Sequence, residues 1–248
     1  MAKVAIVTQA RLQSSRFKEK ILKRINGKTL LQIHLERLKK STFSKNLIVA
    51  TTYEEKIDSV INIAKTLDVK YFQGSTNDVL DRFYQATSFL NPDFIVRVTS
   101  DCPLIDPDLI DKIIKFSIEH DQDYVSNTLI EAYPDGQDIE VIKWSAFKKA
   151  WECAETSFDR EHVTPFIKSQ STFFGNERFT SLNYECKKDY NHIRMTVDEE
   201  LDFEAIKIII DNLGDDKNWL EYTNFITQNK GLFKNQQIIR NEGSKNKS

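Results

Sequence analysis

Over the first 130 residues, short β-branched and apolar runs alternate with longer stretches that carry their apolar side chains on one helical face. VAIVTQA (residues 4–10), NLIVATT (46–52), VKYFQG (69–74), DFIVRVTS (93–100) and DYVSNT (123–128) read as strands. TLLQIHLERLKK (29–40), EEKIDSVINIAKTLD (54–68), NDVLDRFYQATSFL (77–90) and DPDLIDKIIKFSIEH (106–120) read as amphipathic helices between them. The first helix ends in lysines, which suit a helix C-terminus. Asn77 is a candidate cap for the third, and Pro107 fits the first turn of the fourth. The strands are continuous apolar runs, so both their faces must be covered. The pattern predicts an α/β fold, Rossmann-like, with a mostly parallel sheet and helices on both faces. Ligands of such sheets bind outside the carboxyl ends of the strands, so the residues that follow each strand are the ones to inspect.

The rest of the chain is less regular. QDIEVIKW (137–144), RFTSLNYE (178–185) and HIRMTVD (192–198) read as strands. SAFKKAWECAE (145–155), DREHVTPFIKSQ (159–170), EELDFEAIKIIIDNL (199–213) and NWLEYTNFITQ (218–228) read as helices. No Gly-, Pro- or Ser-rich linker separates the halves, which predicts one domain over residues 1–233. The polar composition of residues 234–248 predicts a disordered tail.

Composition narrows the partners. The formal net charge of the 248 residues is −2, so no global field favours nucleic acid or an anionic membrane, and any basic site must be local. No apolar run approaches the roughly 20 residues of a membrane span. The three cysteines are widely spaced and form no CxxC, which argues against a disulfide framework or a zinc site and for the reducing cytoplasm.

Two features at strand ends carry chemistry. The first strand is followed by RLQSSRFKEK (11–20), which holds Arg11, Ser14, Arg16 and Lys20. Forked arginine donors, a lysine and hydroxyls can neutralise a polyphosphate. The stretch has no glycine, so it is neither a P-loop nor a dinucleotide fingerprint. By charge alone it reads equally as a solvated basic turn. Its place at a strand end favours phosphate. The second feature is Asp101, just past the fourth strand, together with Asp198, just past HIRMTV. Magnesium uses one or two carboxylates with substrate phosphates and water. Each aspartate reads alternatively as a cap of the helix that follows. Cys102, between Asp101 and Pro103, lacks the cationic surroundings of a reactive thiol and reads as a small packing residue.

Taken in order, TQARLQSSRFKEKIL, GKTLLQIHLERL, VATT, GSTNDVLDRFYQA, RVTSDCPLID, GQDIEV, DREHVTPF and RMTVDEELDFE resemble the cytidylyltransferases of the spore-coat polysaccharide type. These are relatives of the CMP-KDO and CMP-N-acetylneuraminate synthetases. The resemblance spans about residues 3–213. It implies a nucleotide-diphosphosugar-transferase-like fold, and transfer of CMP from CTP to a small anionic acceptor with loss of pyrophosphate and a need for Mg²⁺. Carried over by position, Arg11, Ser14, Arg16 and Lys20 would hold the triphosphate, with Arg16 and Lys20 as the catalytic cations. Ser75, Asn77, Asp78, Asp81 and Arg82 would flank the nucleoside, and Asp101 and Asp198 would hold the metal. One departure is visible. The family loop commonly has Gly before Ser and Leu-Pro-Gly before Lys, whereas this chain has Gln13 and residues 17–19 read FKE. The freedom of glycine beside the phosphates is therefore lost.

The acceptor site and any homodimer contact would come from about residues 133–198. GQDIEV offers Gln137, Asp138 and Glu140, and DREHVTPF offers Arg160 and His162. An arginine beside a histidine suits a carboxylate or phosphate. His162 reads equally as a structural hydrogen bonder at a helix start, and the other histidines read as structural or exposed. The family implies a role in surface or capsular polysaccharide synthesis. Two other functions remain open. One is a related-fold glycosyltransferase consuming a nucleotide sugar, although TSDCPL lacks the second acid of a DxD motif. The other is a non-catalytic nucleotide-binding regulator, which the presence of both aspartates disfavours.

Overall fold

The apolar runs become strands because helices cover both faces of the sheet they form. The computed structural model describes residues 2–13, 16–238 and 240. The chain runs β1 (Val4–Gln9), a short hairpin of β2 (Arg24–Ile25) and β3 (Lys28–Thr29), α1 (Leu30–Leu38), β4 (Leu47–Thr52), α2 (Asp58–Thr66), β5 (Lys70–Gly74), α3 (Val79–Ser88), β6 (Phe94–Thr99) and α4 (Pro107–His120). It continues through β7 (Tyr124–Ser126), β8 (Glu140–Lys143), α5 (Trp144–Cys153), α6 (Ser157–His162), α7 (Pro165–Ser169), β9 (Ser181–Asn183), α8 (Glu200–Leu213) and α9 (Trp219–Gln228). The main sheet has seven strands in the order β5-β4-β1-β6-β8-β7-β9. Within β5-β4-β1-β6 every pairing is parallel, with Val7 opposite Ile48 on one side and Arg97 on the other. β8 pairs antiparallel with both β6 and β7, and β7 pairs parallel with β9. The sheet is thus mostly parallel, as the sequence predicts.

Alternate residues of one strand enter different cores. Val4 and Ile6 of β1 join the cluster under α1, α2 and α4, while Val7 joins the opposite cluster under α3, α5 and α7. β6 does the same with Phe94, Val96 and Val98 on one face and Ile95 on the other. Burying a large aliphatic side chain is worth about 1.5–3 kcal/mol, so a strand buried on both sides gains at nearly every position and shows no polar alternation. A third cluster joins Ile25, Leu30 and Ile33 to Ile193, Met195 and Val197 and to α8 and α9.

The chain leaves β1 toward β4 and β5, then returns to place β6 on the other side of β1. Strand order therefore reverses between β1 and β6, and the crevice at their carboxyl ends is where such folds bind ligands.

Four local expectations need correction. Residues 192–198 form no strand. Arg194 makes a single bridge to Asp135, and the alternating Ile193, Met195 and Val197 reflect packing into the third cluster, not sheet pairing. The stretch 159–170 is not one helix, because Val163 turns to φ 75° and Pro165 opens a new one. The cap of α3 is Asp78, which accepts from Asp81 N at 2.8 Å, and not Asn77. Finally, residues 234–238 and 240 are packed where a tail is expected. Lys234–Gln237 form a 3-10 turn, and Asn235 is only 1% exposed because its polar atoms find partners in α8 and residue 194. The β2–β3 hairpin also went unread, although Asn26-Gly27, at φ 48° and 83°, is a strong turn signal.

Candidate functional site

The loop after β1 is rooted before it reaches the crevice. Leu12 N and Gln13 N donate to the two Glu54 carboxylate oxygens at 2.8 and 3.0 Å. Ser14, expected to bind phosphate, lies outside the described residues. The chain then turns at Glu19, whose φ of 51° and ψ of 28° are left-handed. Glu19 stands where the resembled family has glycine. The glycine-like conformation is kept, and Glu19 is tied to Leu12 O by its N–H and to Lys56 by its carboxylate. A 3-10 turn, Lys20–Leu22, follows, anchored by the buried Ile21.

That turn aims Lys20 at the two aspartates. Its Nζ lies 3.1 Å from Asp101 Oδ2 and 2.8 Å from Asp198 Oδ1. Two carboxylates 97 positions apart (198 − 101) thus share one ammonium. Arg16 Nη2 lies 3.1 Å from the other oxygen of Asp198. Burial alone would raise the Asp101 carboxyl, but the Lys20 charge and the Thr99 hydroxyl offset it and hold the acid well below the usual carboxylate range. Burial would lower Lys20, yet Asp101 and Asp198 keep it above its ordinary value. Lys20 and Asp101 therefore stay ionised at neutral pH. The helix-cap alternative for Asp198 does not hold, since Glu199 caps α8.

Arg194 supports this cluster. Its guanidinium reaches Asp202 at 2.8 and 2.9 Å, Asp135 at 2.7 Å and Asp198 at 3.3 Å. Asp202 in turn accepts from the backbone N of Asp198 and Glu199. His34 ties the same edge to β1. Its Nδ1 donates to Cys102 O and its Nε2 accepts from Thr8, both at 2.9 Å. Burial pushes this imidazole down to about 4, so it is neutral. Burial and Asp101 push the Cys102 thiol far up, in keeping with a packing role.

Beside β5, the residues expected around a nucleoside are close together but differently engaged. Arg82 is fully buried. Its Nη1 donates to Ser75 O at 2.5 Å, while Nε and Nη2 have no hydrogen-bond partner among the described residues. Burial and then Arg11 lower it to about 10, which shows that Arg11 stands nearby. Ser75 accepts from Asp78 N, and Asn77 is exposed. Asp78 and Asp81 hold protein groups: Asp78 takes two bonds from Arg160, at 2.6 and 2.9 Å, and Asp81 accepts from Trp151 at 2.8 Å.

A cavity of about 680 Å³ opens on the α7 side of β6. Asp138, Glu140 and His162 line it with Arg97, Thr99 and Lys168. Gln137 is buried elsewhere, bridging Asp106 N and Leu104 O, and Arg160 is committed to Asp78. Arg97 and Lys168 were missed by sequence reasoning. Arg97 interrupts the apolar run of β6, and the antiparallel register places it opposite Glu140. Glu140 pairs with Arg97 and with Lys168 at 3.1 Å and accepts from Tyr124 OH at 2.6 Å. Burial would raise Glu140, but Lys168 and Arg97 hold it well below the usual range. Thr99 lines the cavity two residues before Asp101, and its hydroxyl lies 3.4 Å from Cys102 Sγ.

Residues 4–239 match the family model described as cytidylyltransferase. The chain belongs to the cytidylyltransferase family. This cytidylyltransferase is 29% identical over 227 residues to the spore coat polysaccharide biosynthesis protein SpsF of Bacillus subtilis, covering 87% of this chain and 89% of that one. It is 29% identical over 189 residues to the 3-deoxy-manno-octulosonate cytidylyltransferase of Geotalea daltonii, covering 75% and 72%. Its fold matches the solved structure of a cytidylyltransferase from Leptospira borgpetersenii with a TM-score of 0.90 and 32% identity, over 97% of this chain and 100% of the other. The cytidylyltransferase thus has the nucleotide-diphosphosugar-transferase fold and is a CTP-using nucleotidyltransferase. Among the described residues no helix is long and apolar enough to cross a membrane.

Proposed function

We propose that the enzyme transfers CMP from CTP to a small anionic acceptor and releases pyrophosphate. One observation carries the reading. At the strand-order reversal, Lys20 of the basic loop is shared by Asp101 and Asp198. A triphosphate laid across this edge meets Arg11, Arg16 and Lys20, which neutralise its charge. In-line attack on the α-phosphorus asks mainly for positioning and charge neutralisation. Arg16 and Lys20 stabilise the negative charge that grows on pyrophosphate as it leaves. Arg82, with two unpartnered buried donors, stands ready at the nucleotide side.

The donor set fits a hard divalent cation, Mg²⁺ above all. Asp101 and Asp198 present oxygen donors that already converge on one cation. Among the described residues no three His, Cys, Asp or Glu side chains form a metal cage, so substrate phosphates and water would complete the shell. Asp101 and Asp198 would hold the ion, which when bound supplies charge neutralisation between phosphate and acceptor.

The acceptor enters the cavity beside β6, where Arg97 and Lys168 stand among the carboxylates of Glu131, Asp138 and Glu140. The donors of Arg97 and Lys168 suit an anion, either an acidic sugar or a phosphate or phosphonate compound. Asp138 and His162 line the same space. The likeness to a spore coat polysaccharide protein supports a role in surface or capsular polysaccharide synthesis, and a homodimer is part of the same proposal. The test is pyrophosphate release from CTP, ATP, GTP and UTP against a panel of anionic acceptors. Release with CTP alone supports the proposal. Transfer from nucleotide sugars without pyrophosphate release would replace it with the glycosyltransferase alternative.

A further inference from the structure

The segment after α9 is bonded to the residues that hold Asp198. Gln236 clamps the backbone of residue 194 from both sides, accepting from Arg194 N at 2.8 Å and donating to Arg194 O at 2.9 Å. Asn235, 1% exposed, donates to Asp202 Oδ1 at 3.1 Å. Besides Lys20 and Arg16 of the basic loop, Arg194 and Asp202 hold Asp198, one through its carboxylate and the other through its backbone N–H. Farther on, Arg240 donates to Asp138 at 2.6 Å and to Tyr133 O at 3.2 Å, so the same segment braces the wall of the cavity beside β6.

The geometry points to residues 234–238 and 240 as a strap that positions Asp198 for its cation, with Asn235 and Gln236 as positioning residues acting through Asp202 and Arg194. The inference rests on the proposal that Asp101 and Asp198 hold a divalent metal. It does not follow from fold stability alone. Asn235 and Gln236 make no hydrogen bond to a strand of the main sheet among the described residues; beyond bonds within the segment itself, their bonds end on the backbone of Arg194 and the carboxylate of Asp202, two residues whose side chains contact Asp198. Outer partners that orient a metal ligand typically cost about 10–100-fold in metal affinity when removed.

The test uses Mn²⁺ as the probe, titrated onto the CTP-bound full-length chain without acceptor and read by electron paramagnetic resonance. Asn235→Ala and Gln236→Ala should each weaken Mn²⁺ binding at least about tenfold. Asn235→Asp, which keeps the shape but sets a carboxylate against Asp202, should weaken it further. Lys234→Ala, at an exposed position, should leave it unchanged. CTP binding without metal, measured by calorimetry, should stay within about twofold in all four, since among the described residues the strap makes no hydrogen bond or ion pair with the basic loop. Wild-type binding of Mn²⁺ that is lost in Asp198→Asn but unaltered in the Asn235 and Gln236 variants would overturn the strap and leave the metal reading standing. Failure of the wild type to bind Mn²⁺ would overturn both. A parallel loss of CTP and Mn²⁺ binding, tracking a fall in melting temperature, would assign the segment a purely structural role and overturn the positioning claim.

Discussion

The half of the sheet built from β5, β4, β1 and β6 and the segment from residue 192 to 240 meet at the same edge but are held by different forces. In the former, strands are buried on both faces by aliphatic side chains. In the latter, Arg194 sits among Asp135, Asp198 and Asp202, and the backbone around it is pinned by Gln236. Hydrophobic burial is non-directional and tolerates small shifts of neighbouring groups. A buried ion-pair network is directional, and leaving one charge without its partner is costly. The first region therefore sets where the edge is, and the second sets how its carboxylates are aimed.

Substitutions can break that comparison. Phe147→Ala, in the core under α3 and α5, should cost about 3–5 kcal/mol of stability in urea unfolding while turnover below the transition stays near wild type. Arg194→Ala should cost a similar amount, about 3–5 kcal/mol, because it strands the buried Asp202. Unlike Phe147→Ala, it should lower turnover under native conditions as well. If both variants lost stability and activity in proportion, the distinction between the regions would be wrong.

Next in size, Lys20→Ala and Asp101→Asn should each cut pyrophosphate release at least about 100-fold. Near-wild-type release by either would remove them from the chemistry. Lys20 also gives the edge a pH signature. Its folded value lies above 10.5, so its share of stability is present below that pH and is lost as pH rises through the folded value. The folded value of Asp101 lies below 3.8, so its share is present above 3.8 and is lost as pH falls through the folded value. The stability difference between wild type and Lys20→Ala should be flat from about pH 5 to 9 and shrink on strong acidification, which denaturation midpoints across pH would read. Smallest of all, Glu19→Gly should relieve left-handed strain and raise stability by about 1 kcal/mol or less, since the gain is partly offset by the entropy of glycine in the unfolded chain.

The parallel part of the sheet was legible because burial on both faces leaves a plain mark, a run such as FIV or LIV between amphipathic helices. The meeting of Lys20 with Asp101 was legible for a related reason, since fold topology sends the ends of β1 and β6 to one crevice, whereas Asp198 reaches it from a segment that forms no strand. Arg97, Lys168, Arg194 and Asn235 were not. Their roles depend on partners far away in the chain, Glu140 for the first two and Asp202 for the last two, and one residue type at one position carries no sign of such a partner. The stretch 192–198 misled because period-two alternation marks one-sided packing, whether or not a neighbouring strand supplies hydrogen bonds. Asp78, expected beside the nucleoside, caps its own helix and accepts from Arg160.

The change from parallel to antiparallel pairing at β6 has an evolutionary consequence. β6 is a shared wall: its end carries Asp101, which faces the loop from β1, and its flank carries Arg97, which faces β8 and α7. Mutations that reshape the antiparallel flank alter one chamber while the strands that carry the loop from β1 keep their partners. With the acceptor site proposed for that flank, a lineage can exchange the molecule it modifies without rebuilding the apparatus that activates it.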